Sequence, residues 1–122
     1  MKMIINNHRK IFALQQEFNE VFHNLKIEFY QNPSSPVGTS SKKLVDISSK
    51  TLGDCRAVHT EGVISISPLM NIGELKQIFS NVYELTVDIF QRNAKNSWHE
   101  LPVTERAILE VINHEHDDEK IK

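Results

Sequence analysis

Cys55 and His59 stand four residues apart, the spacing that would set a thiol and an imidazole on one helix face, where the ring could take the thiol proton. Nucleophilic catalysis also needs a third group to orient the histidine and donors for an oxyanion, and the surroundings of Cys55 read instead as those of a buried, unreactive thiol. Gly38, Thr39, Ser40, Ser41, Lys42 and Lys43 are the residue types of an anion-binding loop. They lack the Walker spacing and lead toward a strand, so a flexible loop is the leading reading and a phosphate cradle the alternative. His114, Glu115, His116, Asp117 and Asp118 are good metal-ligand types, but residues two apart point to different sides of a helix. The stretch also has no rigid scaffold, so no metal and no cofactor are expected. His8 and His23 flank the first expected helix, where His23 could face its C-terminus as a capping cation.

The elements that must position these groups are written in the periodicity. Ile11, Leu14, Phe18, Val21 and Phe22 form one stripe of a helix, and Leu25, Ile27 and Phe29 then alternate with Lys26, Glu28 and Tyr30 as a strand with one buried face. Gln31 to Ser41, with two prolines, a glycine and several serines, reads as a mobile connection. A strand around Lys43 to Ile47 follows, and Thr51 with Asp54 can cap a short helix carrying Leu52, Cys55 and Val58 inward. Val63 to Ser67 is again a strand, with Ile64 and Ile66 inward. Asn71 and Glu74 suit the start of a helix bearing Ile72, Leu75, Phe79 and Val82. Leu85, Val87 and Ile89 line the inner face of the next strand, Asn93 to Asn96 turn the chain, and Ser97 to Leu101 return antiparallel. Thr104 caps a last helix with Ala107, Ile108, Val111 and Ile112 inward.

The second half of this pattern repeats the first. Leu14, Gln16, Phe18, Val21, Leu25 and Gln31 recur, with one residue deleted, as Leu75, Gln77, Phe79, Val82, Leu85 and Gln91. Polar positions match as well as apolar ones, which predicts an internal duplication with pseudo-repeats 2–61 and 62–113 in one domain, 1–113, followed by a charged tail, 114–122. The expected fold class is α+β: a mostly antiparallel sheet with helices on one face, built from a duplicated strand-helix-strand-strand-helix unit, with the first strand of the second half completing the sheet of the first.

A chain of 122 residues buries about two-thirds of its unfolded surface and needs no staple. One cysteine excludes an intrachain disulfide and suits a reducing, cytoplasmic location, and no apolar run is long enough for a membrane span. With 14 basic and 16 acidic side chains intermixed, the net charge of -2 gives no field that would gather polyanions.

Ser40 to Lys43, Thr51, Leu52, Gly53, Asp54 and Arg56, Ile64 to Pro68, and Asn96, Ser97 and Trp98 together resemble a group of short uncharacterised Bacteroidetes proteins. The resemblance implies a compact domain and no particular activity. It breaks at the C-terminal end, where Val103 to Asn113 reads as an ordinary amphipathic helix.

The surface with most to offer is the sheet face turned away from the helices. Tyr30 and Phe90 occupy matched positions there, with Lys26, Glu28, Thr86 and Asp88 alongside and Trp98 or His99 joining according to register. Exposed aromatics can stack on single-stranded bases, but Glu28 and Asp88 in mid-face would repel phosphate and favour a protein partner. The expectation is a non-enzymatic interaction domain binding a protein, itself included, with Tyr30, Phe90 and Trp98 as anchors and Lys26, Glu28 and Asp88 setting register. The alternative is a small-ligand or anion-binding protein, conceivably an enzyme, using Gly38, Ser40, Ser41 and Lys42 with His59 or His99.

Overall fold

The structure is a computed structural model that describes residues 1–31, 43–44, 50–93, 95–102 and 105–114. In chain order it forms β1 (Lys2–Ile5), α1 (Ile11–Val21), β2 (Leu25–Gln31), β3 (Lys43–Leu44), a 3-10 turn (Leu52–Asp54) and β4 (Gly62–Ser65). Then follow α2 (Ile72–Tyr83), β5 (Thr86–Arg92), β6 (Trp98–Glu100) and a helical segment, α3, over 109–114. The fold is mixed α+β. β3, β2, β5 and β6 make an antiparallel sheet in that order, and β1 and β4 make a separate antiparallel pair.

That second pair corrects one expectation, because β4 does not complete the sheet of the first half. The seven-residue strands β2 and β5 each bury an unbroken alternate row and take one another as central partners. The four-residue β1 and β4 are left to pair together, with Met3 opposite Ile64. Leu25, Ile27 and Phe29 of β2 and Val87 and Ile89 of β5 join Leu14, Phe18, Leu75 and Phe79 of the helices in one core, to which Met3, Ile5 and Ile64 contribute from the small sheet. Phe29 meets Phe79 edge to face with ring centroids 5.9 Å apart, a favoured aromatic arrangement.

The helices begin and end where local chemistry dictates. Asn71 and Glu74 exchange side-chain to backbone hydrogen bonds as a capping box, and Thr51 and Asp54 do the same at the 3-10 turn. Arg56, itself buried, donates to the carbonyl oxygens of Tyr83 and Thr60 and to Asn7 Oδ1, so it satisfies an end carbonyl of α2 and serves the fold. Glu84 leaves α2 in the left-handed conformation, and Leu85 N–H closes the turn on Phe79 O. This tight exit lies where the expected repeat pattern has one residue fewer in the second half.

The buried stripes are narrower than the spacing suggested. Val21 and Val82 are 46% and 52% exposed, because Phe22 and Tyr83, at i+4 from Phe18 and Phe79, take the core position. In the last helical segment Leu109 and Ile112 are buried while Val111 is exposed; the helix starts at 109, and Ile108 forms a bridge with Asn71 instead. The Gln31 to Ser41 connection, the continuation of β3 through Ile47, the Thr104 cap and the tail beyond His114 lie outside the described residues except at Gln31.

The two halves share an element order and a bonding scheme. Lys10 bridges Thr51 as Asn71 bridges Ile108. Leu52 N–H donates to Arg9 O as Leu109 N–H donates to Met70 O, and Gly53 N–H to Asn7 O as Glu110 N–H to Pro68 O. Across the sheets, Glu28 and Asp88 are direct cross-strand neighbours, as are Met3 and Ile64 of the small sheet.

Candidate functional site: the exposed face of the four-stranded sheet

Strand alternation sends Lys26, Glu28 and Tyr30 of β2 and Thr86, Asp88, Phe90 and Arg92 of β5 to the face opposite the buried row. The β5–β6 register decides the remaining member. Trp98 stands opposite Arg92 and Glu100 opposite Phe90, so Trp98 joins this face, while His99 lies opposite Gln91 on the other side. All six expected interface residues therefore share one surface. They form two groups.

At one end the aromatics carry cations. Lys26 Nζ lies 5.3 Å from the Phe90 ring centroid and 5.1 Å from that of Trp98, and the Arg92 guanidinium is 5.5 Å from Trp98. Such contacts hold flexible cationic side chains against rigid rings and leave the array half-exposed and pre-shaped. Arg92 also donates to His23 O and Asn24 Oδ1, which fixes its direction.

In mid-face lie the two carboxylates. Asp88 shares the face as expected but is only 1% exposed, so it cannot offer a charge to a partner. The Lys76 ammonium, reaching over from α2, sits 2.6 Å from Asp88 Oδ1, and the Tyr30 hydroxyl shares a hydrogen bond with the same carboxylate. That placement, with the nearby acids, drives the Tyr30 pKa far above its ordinary value, burial being the first cause, and keeps the phenol a donor. Glu28 is answered differently: Gln15 Nε2 donates to Glu28 Oε1 at 3.1 Å and to Ile27 O at 3.0 Å. Burial raises the Glu28 pKa, and the nearby Lys26 only partly offsets it.

A carboxyl whose folded pKa exceeds its unfolded one favours the fold most when protonated, so its contribution is present below the ordinary value and lost as pH rises through the raised one. Glu28→Gln is accordingly expected to be more stable than the native chain at pH 7, with the difference closing below about pH 4.5, the ordinary carboxyl value, as Glu28 itself takes up a proton. Urea midpoints at pH 7 and pH 4 check this. Equal midpoints at pH 7 would mean that Glu28 is fully solvated.

The residues of the alternative site do not converge in what is described. Gly38, Ser40, Ser41 and Lys42 lie outside the described residues. His59 Nδ1 is 2.7 Å from Asn7 Nδ2, and His99 is exposed beside β5. Cys55 and His59 do not share a helix face, because the helix there is only Leu52–Asp54 and the chain beyond Cys55 is not helical. Cys55 is buried, its Sγ directed at Thr51 O, and burial pushes its pKa up to about 11, which leaves the thiol protonated and inert. Open grooves of about 550 and 330 Å³ run along α2, and neither is lined by a histidine or cysteine. Among the described residues no group of three His, Cys, Asp or Glu side chains could hold a metal ion, and no helix is long and apolar enough to cross a membrane.

Three participants escaped the sequence reading. Arg92 could have been found from strand alternation alone, whereas Glu100 follows only once the β5–β6 register places Trp98 on this face. Lys76 had a fainter signal: in the expected repeat pattern it falls where Gln15 falls in the first half, and the two side chains reach Asp88 and Glu28 respectively. Compared with known protein families, with curated proteins and with solved structures, the chain matches none.

Proposed function

We propose that this chain is a non-enzymatic protein-interaction domain that binds through the exposed face of its four-stranded sheet. The observation that carries the reading is the half-exposed array of Phe90 and Trp98 with Lys26 and Arg92 laid against their rings. Aromatic and arginine anchors in a mixed polar surround are what protein interfaces use for affinity. Tyr30 is the third anchor, while Lys26 and Glu28 set register and Asp88 holds Tyr30 in place. The acids of the face, Glu28 and Glu100, work against a nucleic-acid backbone. The buried, protonated cysteine suits a reducing compartment, and the cytoplasm is the location proposed.

The chain is also proposed to be an internal duplication, within the Bacteroidetes group it resembles. In support, Gln15 on α1 reaches Glu28 as Lys76 on α2 reaches Asp88, and Glu28 sits across from Asp88 as Met3 sits across from Ile64.

Photocrosslinking tests the surface. With benzoylphenylalanine in place of Trp98, irradiation in cells is expected to yield covalent adducts with protein, while the same group in place of the exposed Gln77 on α2 yields few. Equal yields from both positions, or none from position 98, would remove this face as the binding surface.

A further inference from the structure

Resting on that reading, we infer that the partner is a second copy of this chain, stacked face to face about a twofold axis that crosses the strands and sets Lys26 of each copy against Glu28 of the other. On the face, Lys26 and Phe90 form one cross-strand row and Glu28 and Asp88 the next row along the strands. A twofold axis lying between the stacked faces, running across the strands between those rows, exchanges one row with the other and keeps each strand over its own counterpart. Lys26 then faces Glu28 of the second copy, and the symmetry supplies the contact twice, as an isologous interface requires. An axis parallel to the strands would lay Glu28 over the closed-off Asp88 and Lys26 over Phe90, giving neither exposed charge an opposite partner, so the charge pattern selects the first arrangement.

The two mid-face carboxylates are in different states, and this favours the same pairing. Asp88 already has the Lys76 ammonium at 2.6 Å and is closed off from solvent. Glu28 holds a neutral amide from Gln15 and stays half-exposed, so it can take a cation from outside. Lys26 is the cation suited to it: its side chain is half-exposed and laid over Phe90 and Trp98. Facing sheets stack about 10 Å apart, a gap that a lysine and a glutamate side chain span together.

Charge exchange decides the matter. Sedimentation across a concentration series is run on the native chain, on Lys26→Glu, on Glu28→Lys, on their equimolar mixture and on the chain carrying both changes. Each single variant sets like charges against one another twice and is expected to associate at least about tenfold more weakly than the native chain. The mixture and the double variant restore opposite charges at both contacts and are expected to return to native-like two-chain mass. Circular dichroism on each variant keeps a folding failure from being read as lost association, and the double variant supplies the test should either single variant fail to fold. A native chain that stays at one-chain mass throughout, or a mixture that associates no better than its components, overturns the self-pairing. If position 98 then still crosslinks to a different protein, the interaction reading survives without it; if no adduct forms, both fall.

Discussion

Replacing Lys76 by methionine is expected to cost about 3 kcal/mol of folding stability, the low end of what removing one partner of a buried ion pair costs. The reason is an asymmetry between the two partners. Asp88 is 1% exposed and loses the ammonium that lies 2.6 Å from it, while the Lys76 side chain is 24% exposed and would have been partly hydrated in any case. The Tyr30 hydroxyl remains as a donor to the stranded carboxylate and limits the loss. Changing both residues, Lys76→Met with Asp88→Leu, removes the buried charge altogether and is expected to recover most of the stability, since a well-packed apolar pair can replace a buried ion pair at little cost. Urea unfolding of the native chain, both single variants and the double variant closes the cycle. A Lys76→Met loss under about 1 kcal/mol, the range of an exposed pair, would show that Asp88 finds water or another donor.

The effect bears on the interaction face because Asp88 and Tyr30 are held together. If the carboxylate is freed by the Lys76 substitution, Tyr30 loses a fixed acceptor and the aromatic surface loses part of its shape. Stability and association are then coupled through one buried group, and only the double cycle separates them.

How much of this was legible in the residues depends on the distance over which each feature is determined. The strands and helices follow from local alternation, and Asn71 with Glu74 and Thr51 with Asp54 announce their capping boxes within four residues. The inward and outward rows of β2 and β5 were equally readable, since a pleat leaves no choice once Ile27 and Ile89 face the core. Whether Trp98 or His99 shares the face of Phe90 was not readable, because it rests on the register of β6 against β5 and hence on the turn between them. There Asn93 Oδ1 takes the backbone N–H groups of Lys95 and Ser97, and Asn96 adopts a left-handed conformation. The burial of Asp88 was hidden for a similar reason. Lys76 lies 12 residues away on another element, and nothing local to either residue says that they meet. The pairing of β1 with β4 is longer in range still and was misjudged, as were Val21 and Val82, whose fate turned on a single step around a helix.

The aromatic anchors carry the account, and their removal is the second large effect. Tyr30→Ser with Phe90→Ser should leave the core intact, because Leu25, Ile27, Phe29, Val87 and Ile89 pack on the opposite side of the sheet. Truncating a hot-spot aromatic commonly costs about 2 kcal/mol or more of association energy, roughly a thirtyfold weakening. The most direct measurement is therefore solution mass across protein concentration for the native chain and this double variant side by side. The account expects the native chain to move from one-chain to two-chain mass as concentration rises, and the folded double variant to do so only at concentrations about thirtyfold higher or not at all. Identical curves for the two proteins would contradict it, and so would a double variant that unfolds, which would place Tyr30 and Phe90 among the residues that hold the domain together.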